Sequence, residues 1–290
     1  MKSKINYHSI KPIKGIEGYE FSPEISKLWD MMIADTNDND DALIVVVGPE
    51  GAGKSILAQQ IYGYFADRIK TCNLSVDNIH FDGQSYIETS LNGKKAQVNI
   101  LDESRRALNK MRTMSSKNQQ FNDFLSECRS QNQIHIVLLP AYSDLDRYVA
   151  VHRPKIIIKV HKFRNPKTGR IIRGHFSVYG TSDKNLLNYA WDNKYKPFPL
   201  QMLYCKGYFK NQSPIDKEEY ENKKEEAKKK RYIEGEDEDN TNNYNKMKSS
   251  LIIVLGEMRK MGMKETDAAK LLKDYISVST VQQLWKVSKD

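Results

Sequence analysis

Cysteine is scarce. The 290 residues hold three, Cys72, Cys128 and Cys205, far apart and without CxxC spacing. That excludes a disulfide framework and a thiolate zinc site, and it fits a reducing compartment. Long apolar runs are missing as well. None approaches the ~20 residues needed to cross a membrane, and MKSKINYHSIKPIKGIEGYE has no apolar signal core. The expectation is a cytoplasmic protein with no membrane partner. No internal repeat is present. Acidic residues disappear from Lys155 to Ser182, and the whole chain carries a net charge of +9. Two readings follow: a polyanionic partner, or a solvated basic surface.

What the chain does contain is concentrated at residues 48–55, GPEGAGKS, which satisfies GxxxxGK[ST]. The apolar, β-branched run Leu43-Ile44-Val45-Val46-Val47 in front of it predicts a buried strand. The run ILAQQIYGYFADRIK behind it predicts a helix. Strand, glycine loop and helix together are the context of a phosphate-binding loop. Gly48, Pro49, Glu50, Gly51, Ala52, Gly53, Lys54, Ser55 and Ile56 are the candidate nucleotide-binding residues. The glycines let successive N–H groups turn toward phosphate oxygens, and the helix start adds a positive end. Lys54 can reach the β- and γ-phosphates, and Ser55 offers a hydroxyl to Mg²⁺.

A second motif is Val98-Asn99-Ile100-Leu101-Asp102-Glu103, an apolar strand ending in two carboxylates. A nucleotidase of this kind needs one acid to hold the waters around Mg²⁺, and Asp102 takes that role. Glu103 is placed to accept a proton from an attacking water as general base. The competing use of the pair is to cap the following helix.

Strands are further predicted at 78–81, 134–139 and 155–160, with helices from Pro23, over 85–91, along 104–131 and over 144–151. Strands alternating with helices imply an α/β fold with a mostly parallel sheet covered on both faces. Its functional groups belong at the carboxyl edge of that sheet. NPKTG at 165–169 marks a turn in the acid-free stretch, which reads as a hairpin bearing Lys162, Arg164, Lys167, Arg170, Arg173 and aromatic Phe163. Such a hairpin suits a nucleic-acid backbone or a charge-protected sheet edge. The aromatic stretch 184–212 is expected to pack on the main domain. DKEEYENKKEEAKKKRYIEGEDEDNTNNYNK then reads as a frayed helix and flexible linker. The resulting division is an N-terminal extension (1–40), a nucleotide-binding domain (41–212), a charged linker (213–246) and a small helical domain (247–290).

GPEGAGKS, VNILDE and the helical run ending ECRSQNQIHIVLLP together resemble the FtsK–HerA branch of additional-strand P-loop ATPases. That branch contains DNA-packaging and DNA-transfer motors and zonula-occludens-toxin-like proteins. The resemblance covers roughly residues 40–165. It implies a RecA-like P-loop fold, ATP and Mg²⁺ as cofactors, DNA as partner, and a homo-oligomeric ring such as a hexamer. It also implies a viral or mobile-element owner, and hence the host-cell interior as location. An arginine reaching a neighbouring subunit's nucleotide is expected from Arg129 or Arg153, with Arg147 third. The strand-end polar sensor of the branch is missing at Leu139-Pro140-Ala141, leaving Tyr142 or Ser143 to substitute. The last forty residues resemble a helix-turn-helix DNA reader with an unusually long turn; docking onto a partner protein is the other use. The rival to a motor is an ATP-gated DNA-binding regulator or a partition or replication protein.

Overall fold

The computed structural model describes residues 21–102, 116–194, 196–233, 237–272 and 276–288. Two compact units emerge, Met1–Lys224 and Glu225–Asp290. The first is built on a seven-stranded sheet in the order β2-β3-β4-β1-β5-β6-β7. The strands are β1 (Ala42–Val47), β2 (Ile79–His80), β3 (Val98–Leu101), β4 (Ile134–Leu139), β5 (Pro154–Arg164), β6 (Ile171–Gly180) and β7 (Leu203–Tyr208). The first five run parallel, while β6 and β7 are added antiparallel. Every residue of β1, β3 and β4 is buried. That is why these strands read as continuous apolar runs rather than as alternation.

β4 lies between β1 and β3. The strand bearing the glycine loop and the strand bearing the acid are therefore not neighbours. One additional strand, ~4.8 Å wide on each side, separates them. The mostly parallel sheet with the glycine loop after β1 is the α/β P-loop architecture that the sequence implies.

Helices α1 (Pro23–Asn37), α2 (Lys54–Arg68), α3 (Gly83–Leu91), α4 (Ser116–Glu127), α5 (Arg147–His152) and α6 (Lys184–Asp192) accompany the sheet. α1 is no loose extension. Trp29 is fully buried and meets Phe65 edge to face, with ring centroids 6.0 Å apart, and Phe21 contacts both Trp29 and Tyr64. A second cluster joins Leu43, Val45 and Val137 of the sheet to Leu125 of α4 and Val149 of α5. The expected helical run over 104–131 is seen from Ser116 onward; its earlier part lies outside the described residues.

The hairpin expected in the acid-free stretch is present. β5 and β6 pair from Ile156↔Gly180 out to Arg164↔Ile171. The aromatic stretch supplies α6 and the edge strand β7, which the sequence reading left unassigned.

The linker reading is corrected. α7 (Lys217–Ile233) opens inside the first unit, with Ile215 and Tyr220 buried despite the charge around them. The second unit holds α8 (Asp237–Lys260), α9 (Glu265–Leu272) and α10 (Val278–Val287). Its small core is Leu255, Ala268, Ala269, Val281, Leu284 and Trp285. Ser277 caps α10, its hydroxyl accepting from the Thr280 N–H at 3.2 Å. Among the described residues, no helix is long and apolar enough to cross a membrane.

Candidate nucleotide site

The glycine loop leaves β1 at the carboxyl edge of the sheet and closes onto α2. Gly53 is the cap of α2 with φ +102°, a left-handed conformation that L side chains rarely adopt. Gly48, at φ +156°, has a steric reason as well as a torsional one. A Cβ there would stand 2.6 Å from the Val160 carbonyl oxygen of β5. The helix begins with the Leu57 N–H donating to Gly53 O at 3.1 Å. The N–H groups of Gly53, Lys54, Ser55 and Ile56 thus form the open end of α2, where an anion is favoured. Ala52 is buried and Gly51 and Glu50 are exposed, so the loop arches outward between them. Lys54 folds back across the arch, its Nζ donating to Gly48 O at 2.7 Å and Pro49 O at 3.2 Å.

Asp102 follows β3 directly and is buried at 4% exposure, its N–H donating to His80 O at 2.8 Å. Its Oδ2 accepts from the Tyr220 hydroxyl at 2.6 Å. Ser55, at the start of α2, and Asp102, at the end of β3, both lie at the carboxyl edge of the sheet. A serine hydroxyl and a buried carboxylate are hard oxygen donors, which is the set that Mg²⁺ prefers. The residues present therefore fit the metal that the resemblance implies. Glu103 lies outside the described residues. His80, beside Asp102 on β2, is held neutral: burial, and then the charge of Lys223, push its pKa down to about 4.

The loop is braced from outside by the basic hairpin. Lys162 Nζ donates to Glu50 O at 2.8 Å, and Arg173 Nε donates to Gly51 O at 2.6 Å. These two cations of the stretch 162–173 therefore stand at the nucleotide site. Arg164 instead closes the hairpin tip, donating to Gly169 O at 2.7 Å. Below the loop, the segment after β7 straps α2. The Phe209 ring faces Gly53, where a Cβ would come within 3.0 Å of it. Buried Gln60 donates to Lys210 O and Gln212 O, both at 2.7 Å, and Ser213 donates to Gln59 Oε1 at 2.6 Å.

Sequence reasoning missed Lys162 and Arg173 as loop contacts, it placed Phe209 only in a stretch that packs on the main domain, and it missed Tyr220 altogether. Two signals were present. Gln59-Gln60 interrupt the otherwise apolar buried face of α2, and Tyr220 is the single aromatic in DKEEYENKKEE.

The arginine candidates fall elsewhere. Arg153 precedes β5 at the opposite edge of the sheet. Its Nη2 donates to Asp41 Oδ2 at 2.5 Å and its Nε to Leu125 O at 2.7 Å, at 14% side-chain exposure. Breaking such a buried pair is costly, so Arg153 is committed to the fold. Asp41, Cys128 and His135 bring ligand-type atoms within 4.8 Å of one another there, but the Arg153 guanidinium already supplies the positive charge. Arg129 pairs with Asp40 at 3.0 Å and is two-thirds exposed, on that same edge. Arg147 pairs with Asp192 at 3.2 Å. Neither Arg129 nor Arg153 approaches the glycine loop of its own chain. As for the substitute sensors, the Tyr142 hydroxyl is taken by the Ala150 carbonyl, and the Ser143 hydroxyl is buried without a hydrogen-bond partner.

No protein-family model matches the sequence, and no curated protein matches it either. Solved structures do. The chain is similar to the genome-packaging NTPase B204 of Sulfolobus turreted icosahedral virus 2 in complex with ATPγS, at 15% identity and TM-score 0.35, over 50% of this chain and 94% of that one. It is similar to the N-terminal domain of zonular occludens toxin from Neisseria meningitidis, at 12% identity and TM-score 0.35, over 63% of this chain and 98% of that one. A third similar structure is the flagellar accessory protein FlaH of Methanocaldococcus jannaschii, at 17% identity and TM-score 0.31, over 48% of this chain and 77% of that one.

Proposed function

We propose that the chain is an ATP-hydrolysing motor acting on DNA, as a homo-oligomeric ring of a virus or mobile element. The observation that carries the nucleotide reading is the placement of the glycine loop, with Lys54 and Ser55, and of buried Asp102 at one edge of the sheet, one intervening strand apart. In the proposed reaction, the open N–H groups of α2 hold the phosphates. Lys54 exchanges the carbonyls of Gly48 and Pro49 for β- and γ-phosphate oxygens. Ser55 and Asp102 hold Mg²⁺, which supplies charge neutralisation at the transferring phosphoryl group. Glu103 takes the proton of a water whose oxygen bonds to the γ-phosphorus as the bond to the β–γ bridging oxygen breaks, leaving ADP and phosphate. A neighbouring subunit's Arg129 is the better finger candidate, because Arg153 is tied to Asp41.

DNA is assigned to the hairpin tip, where Arg164, Lys167 and Arg170 are exposed and phosphate contacts would be independent of sequence. A second reading, an ATP-gated regulator, is favoured by the second unit. There α9 and α10 pack into a helix pair, with Gln282, Gln283 and Lys286 exposed on α10.

A phosphate-release assay with and without single- and double-stranded DNA separates the two. The motor should turn over ATP with stimulation by non-specific DNA, and Lys54→Ala should abolish it. Slow turnover with tight binding to one short duplex would support the regulator. Normal turnover by Lys54→Ala would overturn the nucleotide site.

A further inference from the structure

Tyr220 is an aromatic side chain in a run that otherwise consists of charge and amide, yet only 6% of it is exposed. It is held from several sides. Its ring tilts against Phe81 with centroids 5.6 Å apart. Lys223, a few residues on in α7, donates to Val76 O at 2.9 Å and Asp77 O at 3.1 Å. Asp216 caps the start of the helix, accepting from the Glu219 N–H at 2.8 Å. The preceding segment is tied to Gln59 and Gln60 of α2. A phenol seated in this way is part of the site and not an accident of a loose linker.

Its hydrogen bond has a direction. A tyrosine hydroxyl has one proton, and here it goes to Asp102 Oδ2 at 2.6 Å. The same bond orients the carboxylate, because the oxygen that accepts from the phenol fixes the plane of the group.

We propose that Tyr220 is a positioning residue for the magnesium site, its hydroxyl setting the plane of the Asp102 carboxylate. This rests on the nucleotide-site reading above. It also gives α7 a role. The helix that carries Tyr220 spans Lys217–Ile233, so displacing its first turn would release the Asp102 carboxylate.

The test is a Mg²⁺ titration of mant-ATP binding to the full chain, with an EDTA control, for wild type, Tyr220→Phe and Lys223→Met. Outer-sphere partners of metal ligands typically matter 10–100-fold in metal affinity, so Tyr220→Phe should need about tenfold more Mg²⁺ for half-maximal binding. Its metal-free nucleotide binding should not change. Lys223→Met removes two carbonyl contacts of α7 while sparing the phenol and the carboxylate. It should shift the Mg²⁺ midpoint the same way by a smaller factor, and it serves if Tyr220→Phe does not fold. An unchanged midpoint in both variants overturns the proposal. A lower midpoint in Tyr220→Phe also overturns it, because the phenol would then be blocking the metal. If wild type binds no mant-ATP with Mg²⁺, the nucleotide reading itself fails and the proposal falls with it.

Discussion

The Nε of Arg173 donates to the main-chain carbonyl of Gly51 at 2.6 Å, joining the basic hairpin to the glycine loop across 122 positions of sequence. Lys162, on the paired strand, does the same to Glu50. Two cations that the sequence offered to DNA are therefore engaged at the nucleotide site.

Replacing them should be felt by nucleotide before it is felt by DNA. Both contacts are exposed, and an intramolecular hydrogen bond is worth ~1 kcal/mol net, so Arg173→Ala or Lys162→Ala should weaken mant-ATP binding about fivefold. Replacing Arg164, Lys167 and Arg170 together at the tip should leave nucleotide affinity alone and lower DNA affinity on every sequence, with a shallower salt dependence. Fluorescence titrations across a salt series read both. Wild-type nucleotide affinity in Arg173→Ala would make its contact an ornament of the surface.

Gly48→Ala should be severe for a reason of space. The new Cβ would meet the Val160 carbonyl at 2.6 Å, and that carbonyl belongs to a strand paired on both sides. Over-packing of this sort costs ~1–3 kcal/mol, visible as a lower chemical-denaturation midpoint. Gly169→Ala, at the hairpin turn with open space around it, should lose less despite its φ of +66°. Equal stability of Gly48→Ala and wild type would contradict the close approach of β5 to the loop.

Glu103→Gln should retain ATP binding and lose turnover by about 10²-fold or more, because it removes only the proton acceptor. Single-turnover phosphate release, measured beside mant-ATP binding, separates the two effects. If Glu103→Gln hydrolyses ATP normally and Asp102→Asn does not, the neighbouring acid is no base.

Acid should destabilise the first unit through its buried imidazoles. Burial pushes His135 and His80 down to about 4. Below about pH 6.5 the unfolded chain takes up protons that the folded imidazoles refuse. Stability is therefore full above that pH and declines as pH falls toward 4. His135→Gln should make the decline shallower in urea midpoints recorded from pH 7 to pH 4. An unaltered slope would mean that the folded imidazole is already charged.

Local chemistry determined much of this protein from sequence alone. Leu43–Val47, Val98–Leu101 and Ile134–Leu139 are apolar without alternation because strands covered on both faces must be. GPEGAGKS carries its own conformational requirement, met by the φ of +102° at Gly53. The position of Asp102 at the carboxyl edge of the sheet could be read from an acid at a strand's end.

Tertiary structure decided the rest, and it did so where the partners are distant and nonspecific in kind. A lysine or arginine donates equally well to a phosphate or to a backbone carbonyl, so only the fold could assign Lys162 and Arg173 to the loop and Arg153 to Asp41. Composition marked 213–246 as unable to bury a core, and that holds for its average. It fails at Tyr220, because one buried phenol needs only one acceptor, and Asp102 provides it from the end of β3.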